Sequence, residues 1–281
     1  LEAAILDGAN PLSKTSWVQD RAAAFQTALD NVVALCAERP TCVEQYGDLG
    51  AVIDAAIAQF DNGPIHYTFE NEGVTIEFDL TLDDFASTVN STFGFVGNFG
   101  LPLLFKQISE GNFEAIGVPR AVGILGSQGA TATSAILMQY SIICSDDPTL
   151  AVTESDAEGV STLAIAAGRL EAASNVIGCE AVKLQQLPDT SDVDVSIDVP
   201  VLLLSGGLDT RTPTARNQEV ADHLPNSRLV VFPTGAHVQV PNIPCANAIL
   251  TEFVVDPSAL QSLDISCIAE VNSNFEFTAP E

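Results

Sequence analysis

Asp209 and His237 are the two residues whose types and spacing best fit proton-transfer chemistry, lying about 28 positions apart in the stretch PVLLLSGGLDTRTPTARNQEVADHLPNSRLVVFPTGAH. Residues 201–204 read as a buried strand, and the small-residue turn after them carries Asp209. An amphipathic helix is expected at about 214–224 and a second strand at 228–232, followed by the loop Thr234-Gly235-Ala236-His237. A strand–helix–strand unit of this kind makes parallel neighbours, and open α/β sheets keep their sites at the carboxyl ends of such strands. A carboxylate beside an imidazole fixes the ring's tautomer and stabilises the imidazolium formed when the far nitrogen takes a proton from a serine. The order matches the last two members of a Ser–Asp–His triad. Taken singly, Asp209 could simply cap a turn and His237 could decorate a surface loop; their pairing favours chemistry.

A nucleophile is harder to find. Ser127 is the one local candidate: residues 121–125 are apolar and read as a strand, Gly126-Ser127-Gln128-Gly129 as a tight turn, and Ala130 onward as a helix. That is the context a nucleophile elbow needs. Leu125, however, stands where the first glycine of Gly-x-Ser-x-Gly belongs, and no parallel strand–helix–strand pattern precedes it. Ser127 is therefore the lesser candidate. Gly206-Gly207 resembles a phosphate loop only superficially, with no lysine-bearing pattern behind it. His66 and His223, in a hairpin and beside Asp222 on a helix, are expected to be structural.

The elements that would position this chemistry follow from periodicity. Residues 3–6 read as a short strand ending at Asp7-Gly8. Phe25, Leu29, Val32, Val33 and Cys36 share one helical face, as do Val52, Ile53, Ala56, Ile57 and Phe60. Residues 65–69 and 74–80 alternate around Asn71-Glu72-Gly73 and predict a hairpin. Helical patterns recur at about 83–107, 132–143 and 156–177, and the Asp- and Ser-rich stretch 189–198 reads as a linker. The expected class is α/β, with three parts: 1–19 a first core strand and connection, 20–190 a mostly helical cap with a β-hairpin, and 191–281 the α/β core. Helical caps of this kind cover active sites and choose substrates.

Composition narrows the setting. There are 37 acidic against 10 basic side chains, a formal charge of −27. Nucleic acid and anionic membrane surfaces are poor partners for that field. The acids read as a solvated surface; attraction of a cationic substrate, such as a peptide's amino terminus, is the functional alternative. No apolar run reaches the roughly 20 residues that span a bilayer. Six cysteines without a C-x-x-C pair point to disulfides in an oxidising, extracellular compartment rather than to zinc. Asn90-Ser91-Thr92 is a glycosylation acceptor pattern. No metal or cofactor is called for.

The pieces VPVLLLSGGLDTRTP, LPNSRLVVFPTGAH and the pair Cys245 and Cys267 resemble the TAP-like tail of secreted α/β-hydrolase peptidases, the tripeptidyl and prolyl aminopeptidase-like enzymes. ALCAERPTCVEQYGDL, SIICSDDP and the opening AAILDGANP resemble further parts of the same family. The resemblance implies the C-terminal part of an α/β-hydrolase sheet with a large helical insertion. It also implies a serine exopeptidase acting at peptide amino termini, with Asp209 and His237 as triad members. The family's serine elbow would precede Ala3, so the nucleophile and oxyanion donors are expected from an N-terminal half outside this chain. That half would be a partner of this chain, alongside the peptide substrate. Chain proximity and the resemblance together favour the pairs Cys36–Cys42, Cys144–Cys179 and Cys245–Cys267. An esterase with the same triad, or a non-catalytic fragment that binds its N-terminal half, remains open.

Overall fold

The computed structural model describes residues 1–12, 21–94, 98–126, 134–146 and 159–279. Its first strand, β1 (Ala4–Asp7), is followed by helices α1 (Arg21–Ala37), α2 (Pro40–Tyr46) and α3 (Leu49–Ala58). A hairpin of β2 (Ile65–Asn71) and β3 (Val74–Leu80) comes next. Helices α4 (Leu82–Gly94), α5 (Leu101–Ser109), α6 (Glu114–Gly126), α7 (Ser134–Asp146) and α8 (Thr162–Val182) follow. The chain then returns through β4 (Val201–Gly206), α9 (Thr214–Asp222) and β5 (Ser227–Phe232) to α10 (Pro244–Val255) and α11 (Cys267–Ser273).

Three parallel strands form the sheet in the order β1-β4-β5, with Ala4 opposite Val201, Asp7 opposite Leu204 and Gly206 opposite Phe232. β4 is buried along its whole length, as expected of a parallel strand covered on both faces. Leu202, Leu204, Val230 and Phe232 pack with Ala246, Ile249 and Phe253 of α10. Val201 and Leu203 pack on the opposite side with Leu224 and, from α9, Val220. Among the described residues β1 has no strand on its outer edge.

β1 and β4 are adjacent in space although the helical segment and the hairpin intervene in sequence. That segment has its own core, in which Phe25, Leu29, Ile53, Phe85 and Phe105 are buried together. Leu208, Phe275 and Phe277 join the same core and lock the strand ends and the C-terminal tail to the helices. Arg39 reinforces the tail through bonds to the carbonyls of Asn272 and Phe275. Local signals account for several boundaries. Asp48 and Ser161 cap α3 and α8 by accepting from Ala51 N and Ala164 N. Thr81 and Asp84 bond reciprocally at the start of α4. Glu72 and Gly73, both at positive φ, make the two-residue hairpin turn. Three disulfides join Cys36 to Cys42, Cys144 on α7 to Cys179 on α8, and Cys245 on α10 to Cys267 on α11.

Two expectations need correction. Residues 121–125 are the end of helix α6, not a strand; Ile116, Gly117 and Ala121 are buried while Val122 and Leu125 face out, a helical pattern. The expected helix at 83–107 is divided into α4 and α5, with a 3-10 turn at Asn98–Gly100 leading into Leu101-Pro102. Proline fits the first turn of a helix, where its missing N–H has no partner to lose, and starts a new element there.

Candidate active site

Asp209 and His237 meet at the carboxyl ends of β4 and β5. His237 Nδ1 lies 3.0 Å from Asp209 Oδ2. The same carboxylate oxygen accepts from Thr212 Oγ1 at 2.6 Å, while Oδ1 accepts from the backbone N–H groups of Arg211 (2.7 Å) and Thr212 (2.9 Å). Every oxygen of Asp209 is thus matched to donors in a turn that an aspartate builds naturally. The side chain is fully buried, and His237 is 27% exposed. Burial alone would push the Asp209 carboxyl up; the hydrogen bond and charge of His237, with the Thr212 bonds, outweigh it and hold the group below the ordinary carboxylate value. A buried ionised carboxylate on Nδ1 leaves Nε2 as the nitrogen able to take up a proton.

The loop that presents His237 is tied to the first strand. Asp7, the last residue of β1, accepts from Gln239 N (2.8 and 2.9 Å) and Val240 N (2.8 Å). Val238 between them and the histidine has φ 57°, a left-handed conformation that costs a β-branched residue on the order of 1–3 kcal/mol. The Asp7 bonds are what over-determine it. Gly8, at φ 77°, lies against both partners: a Cβ there would sit 2.8 Å from Thr212 Oγ1 and 3.4 Å from His237 Cε1. Asn217 of α9, fully buried, accepts from Ala9 N and donates to Thr212 O, so the turns after β1 and β4 are bolted together.

A cleft of about 500 Å³ opens beside His237, a size that suits a small ligand. Gly8, Thr212 and Arg211 form its sheet side; Ser87 and Asn90 of α4, Arg21 of α1 and Glu171, Ser174 and Asn175 of α8 form its helical side. Arg21 is buried under the Asp209 turn, donating to Thr210 O at 3.0 Å and to Glu171 Oε1 at 2.8 Å. Burial pulls its guanidinium down from the usual value and Glu171 opposes that; an arginine remains a cation throughout.

The other sequence candidates lie elsewhere. Ser127 falls outside the described residues, but the strand that should lead into its elbow is helix α6. Gly206-Gly207 cannot be a phosphate cradle: Cβ atoms there would overlap Ala236 O and Pro233 O, and Gly207 N is bonded to Phe232 O. His66 pairs with Asp79 on the exposed hairpin, and His223 lies 3.4 Å from Asp194. Asn90 sits within α4, lines the cleft and accepts from Thr210 Oγ1 at 3.4 Å, so it is not on the surface loop that glycosylation needs. Among the described residues no three His, Cys, Asp or Glu side chains come together as a metal site, and no helix is long and apolar enough to cross a membrane. The sequence reading missed Thr212, Asp7, Gly8, Asn217 and Arg21. Only Asp7-Gly8, a polar residue and a glycine closing a strand, carried a local signal.

Residues 165–267, which contain β4, Asp209, β5 and His237, match a family model described as TAP-like protein, an α/β-hydrolase group. No curated protein and no solved structure matches the chain. The family match, with a parallel sheet bearing a buried Asp–His pair, supports an α/β-hydrolase domain of TAP-like type and points to a hydrolase.

Proposed function

We propose that this chain supplies the acid and base of a secreted serine hydrolase, with Asp209 orienting His237 and a serine contributed by an N-terminal segment of the enzyme outside these residues. The observation that carries the reading is the 3.0 Å contact between a fully buried carboxylate and the partly exposed ring of His237 at the edge of a cleft. In the reaction His237 Nε2 would take the serine proton as the hydroxyl oxygen attacks the acyl carbon, then deliver it to the leaving group. Water, deprotonated by the same nitrogen, would then attack the acyl carbon; the bond to the serine oxygen breaks, the acid is released and Nε2 returns the proton to the serine. Asp209 stays ionised throughout, which its depressed proton affinity favours.

Among the described residues no strand pairs with the outer edge of β1, and that edge is where the strand of the N-terminal segment would pair, since a parallel edge is a template for another strand. On this reading 20–190 is the cap, between the 1–19 strand segment and the 191–281 core. No metal or cofactor takes part in the scheme. The three disulfides suit an extracellular enzyme. The resemblance to aminopeptidase-like enzymes makes peptides cut near their amino termini the substrate we favour. The test is a matched panel of free and N-acetylated peptides offered to the complete enzyme. Turnover of free-amine peptides that is lost on acetylation is expected. Equal turnover of both forms would remove the exopeptidase assignment, and turnover of esters alone would replace it with an esterase.

A further inference from the structure

The cleft beside His237 runs against the electrostatics of the whole chain. The chain carries 37 acids and 10 bases, yet among the described residues the cleft is lined by two guanidiniums, Arg21 and Arg211, and one carboxylate, Glu171. Glu171 is already engaged by Arg21. Arg211 is exposed and makes no side-chain hydrogen bond or ion pair among the described residues, while its backbone N–H is pinned to Asp209 at 2.7 Å. A guanidinium with no side-chain partner among the described residues is therefore anchored two residues from the carboxylate that contacts His237. Across the cleft, Asn175 is 2% exposed and its Nδ2 has no hydrogen-bond acceptor among the described residues. A buried amide N–H without a partner carries an uncompensated desolvation cost, and such a group at a cleft wall is explained when a ligand supplies the acceptor.

We propose that this cleft binds a carboxylate of the substrate, paired with the Arg211 guanidinium and accepting from Asn175 Nδ2. The substrate class is then a peptide with an acidic group close to the bond that is cut. Its position relative to that bond rests on the triad reading; the binding itself does not. Charge–charge attraction inside the cleft survives the acidic surface because exposed charges beyond about 8 Å are screened at physiological salt, whereas a guanidinium at contact forms a charge-assisted, bidentate bond. Two sources of carboxylate fit, an acidic side chain and a free C-terminus.

The test titrates the chain with three probes of equal size, acetyl-Ala-Glu-amide, acetyl-Ala-Gln-amide and acetyl-Ala-Gln free acid, following the His237 ring resonances by NMR. The expected result is that at least one carboxylate probe binds about tenfold more tightly than the neutral amide, and that Arg211→Gln abolishes the difference. Which acid wins identifies the source. Asn175→Leu should weaken the preferred acid severalfold and narrow its margin over the neutral probe, with thermal unfolding used to confirm that each variant folds. Equal binding of all three, binding of none at millimolar concentration, or a preference that survives Arg211→Gln overturns the proposal. A charge preference without turnover by the complete enzyme would defeat the triad reading and leave this site standing; turnover without the preference would do the opposite.

Discussion

The two walls of the cleft are built by different physics. On the sheet side, the side chains of Asp7, Asp209 and Asn217 fix three turns through hydrogen bonds to backbone groups, those of Asp7 and the Ala9–Asn217 bond joining distant parts of the sequence, and Thr212 Oγ1 bonds the Asp209 carboxylate. On the helical side, α8 packs against α1, α4 and α7 through apolar side chains, and Cys144–Cys179 ties α7 to α8. The sheet wall fixes angles and proton positions; the helical wall fixes shape and offers the groups a ligand would meet. Damage to the first should therefore read out in catalytic rate, and damage to the second in binding and stability.

The sharpest break is expected at the Asp–His contact. Asp209→Asn keeps the shape but reverses a donor and an acceptor, and a fall in kcat on the order of 10⁴-fold is expected for the complete enzyme. Steady-state kinetics with a circular dichroism control would check it. Next comes Asp7→Ala, which strands the N–H groups of Gln239 and Val240 and frees the strained Val238. A rate loss of roughly 10–100-fold and a destabilisation of about 2–4 kcal/mol are expected, both partly restored by Asp7→Asn, whose amide oxygen still accepts. Urea unfolding alongside kinetics separates the two.

Thr212→Val sharpens the comparison through pH. Because Asp209 titrates below its unfolded value, the stability that this environment contributes is present above about pH 4 and is lost as pH falls through the folded value. The variant should be less stable than the parent by about 1 kcal/mol at neutral pH, and the gap should close in acid; a gap that is constant with pH would contradict the arrangement. The smallest effect on rate is expected from replacing both Cys144 and Cys179 with alanine. The bridge closes 35 positions of chain and contributes about 4 kcal/mol by loop closure, so the helical wall should melt earlier while kcat changes little.

What the sequence disclosed follows the same division. The β4–α9–β5 unit and the Asp209–His237 pair were legible because strand, turn and helix signals all lie within one short stretch. Asp7 and Asn217 were not, because what they do depends on partners up to 233 positions away, and nothing in a local pattern marks such a partner. Residues 121–125 misled for another reason: a five-residue apolar run has no period long enough to tell strand from helix. Leu101-Pro102 after Gly100 did carry a break signal within the stretch read as one helix.

The most direct test of the central claim is labelling of the complete enzyme with a fluorophosphonate probe, followed by peptide mapping, for the parent and for His237→Ala. The account predicts a single labelled serine outside these 281 residues and loss of labelling in the variant. Label on Ser127, or labelling that persists without His237, would contradict it.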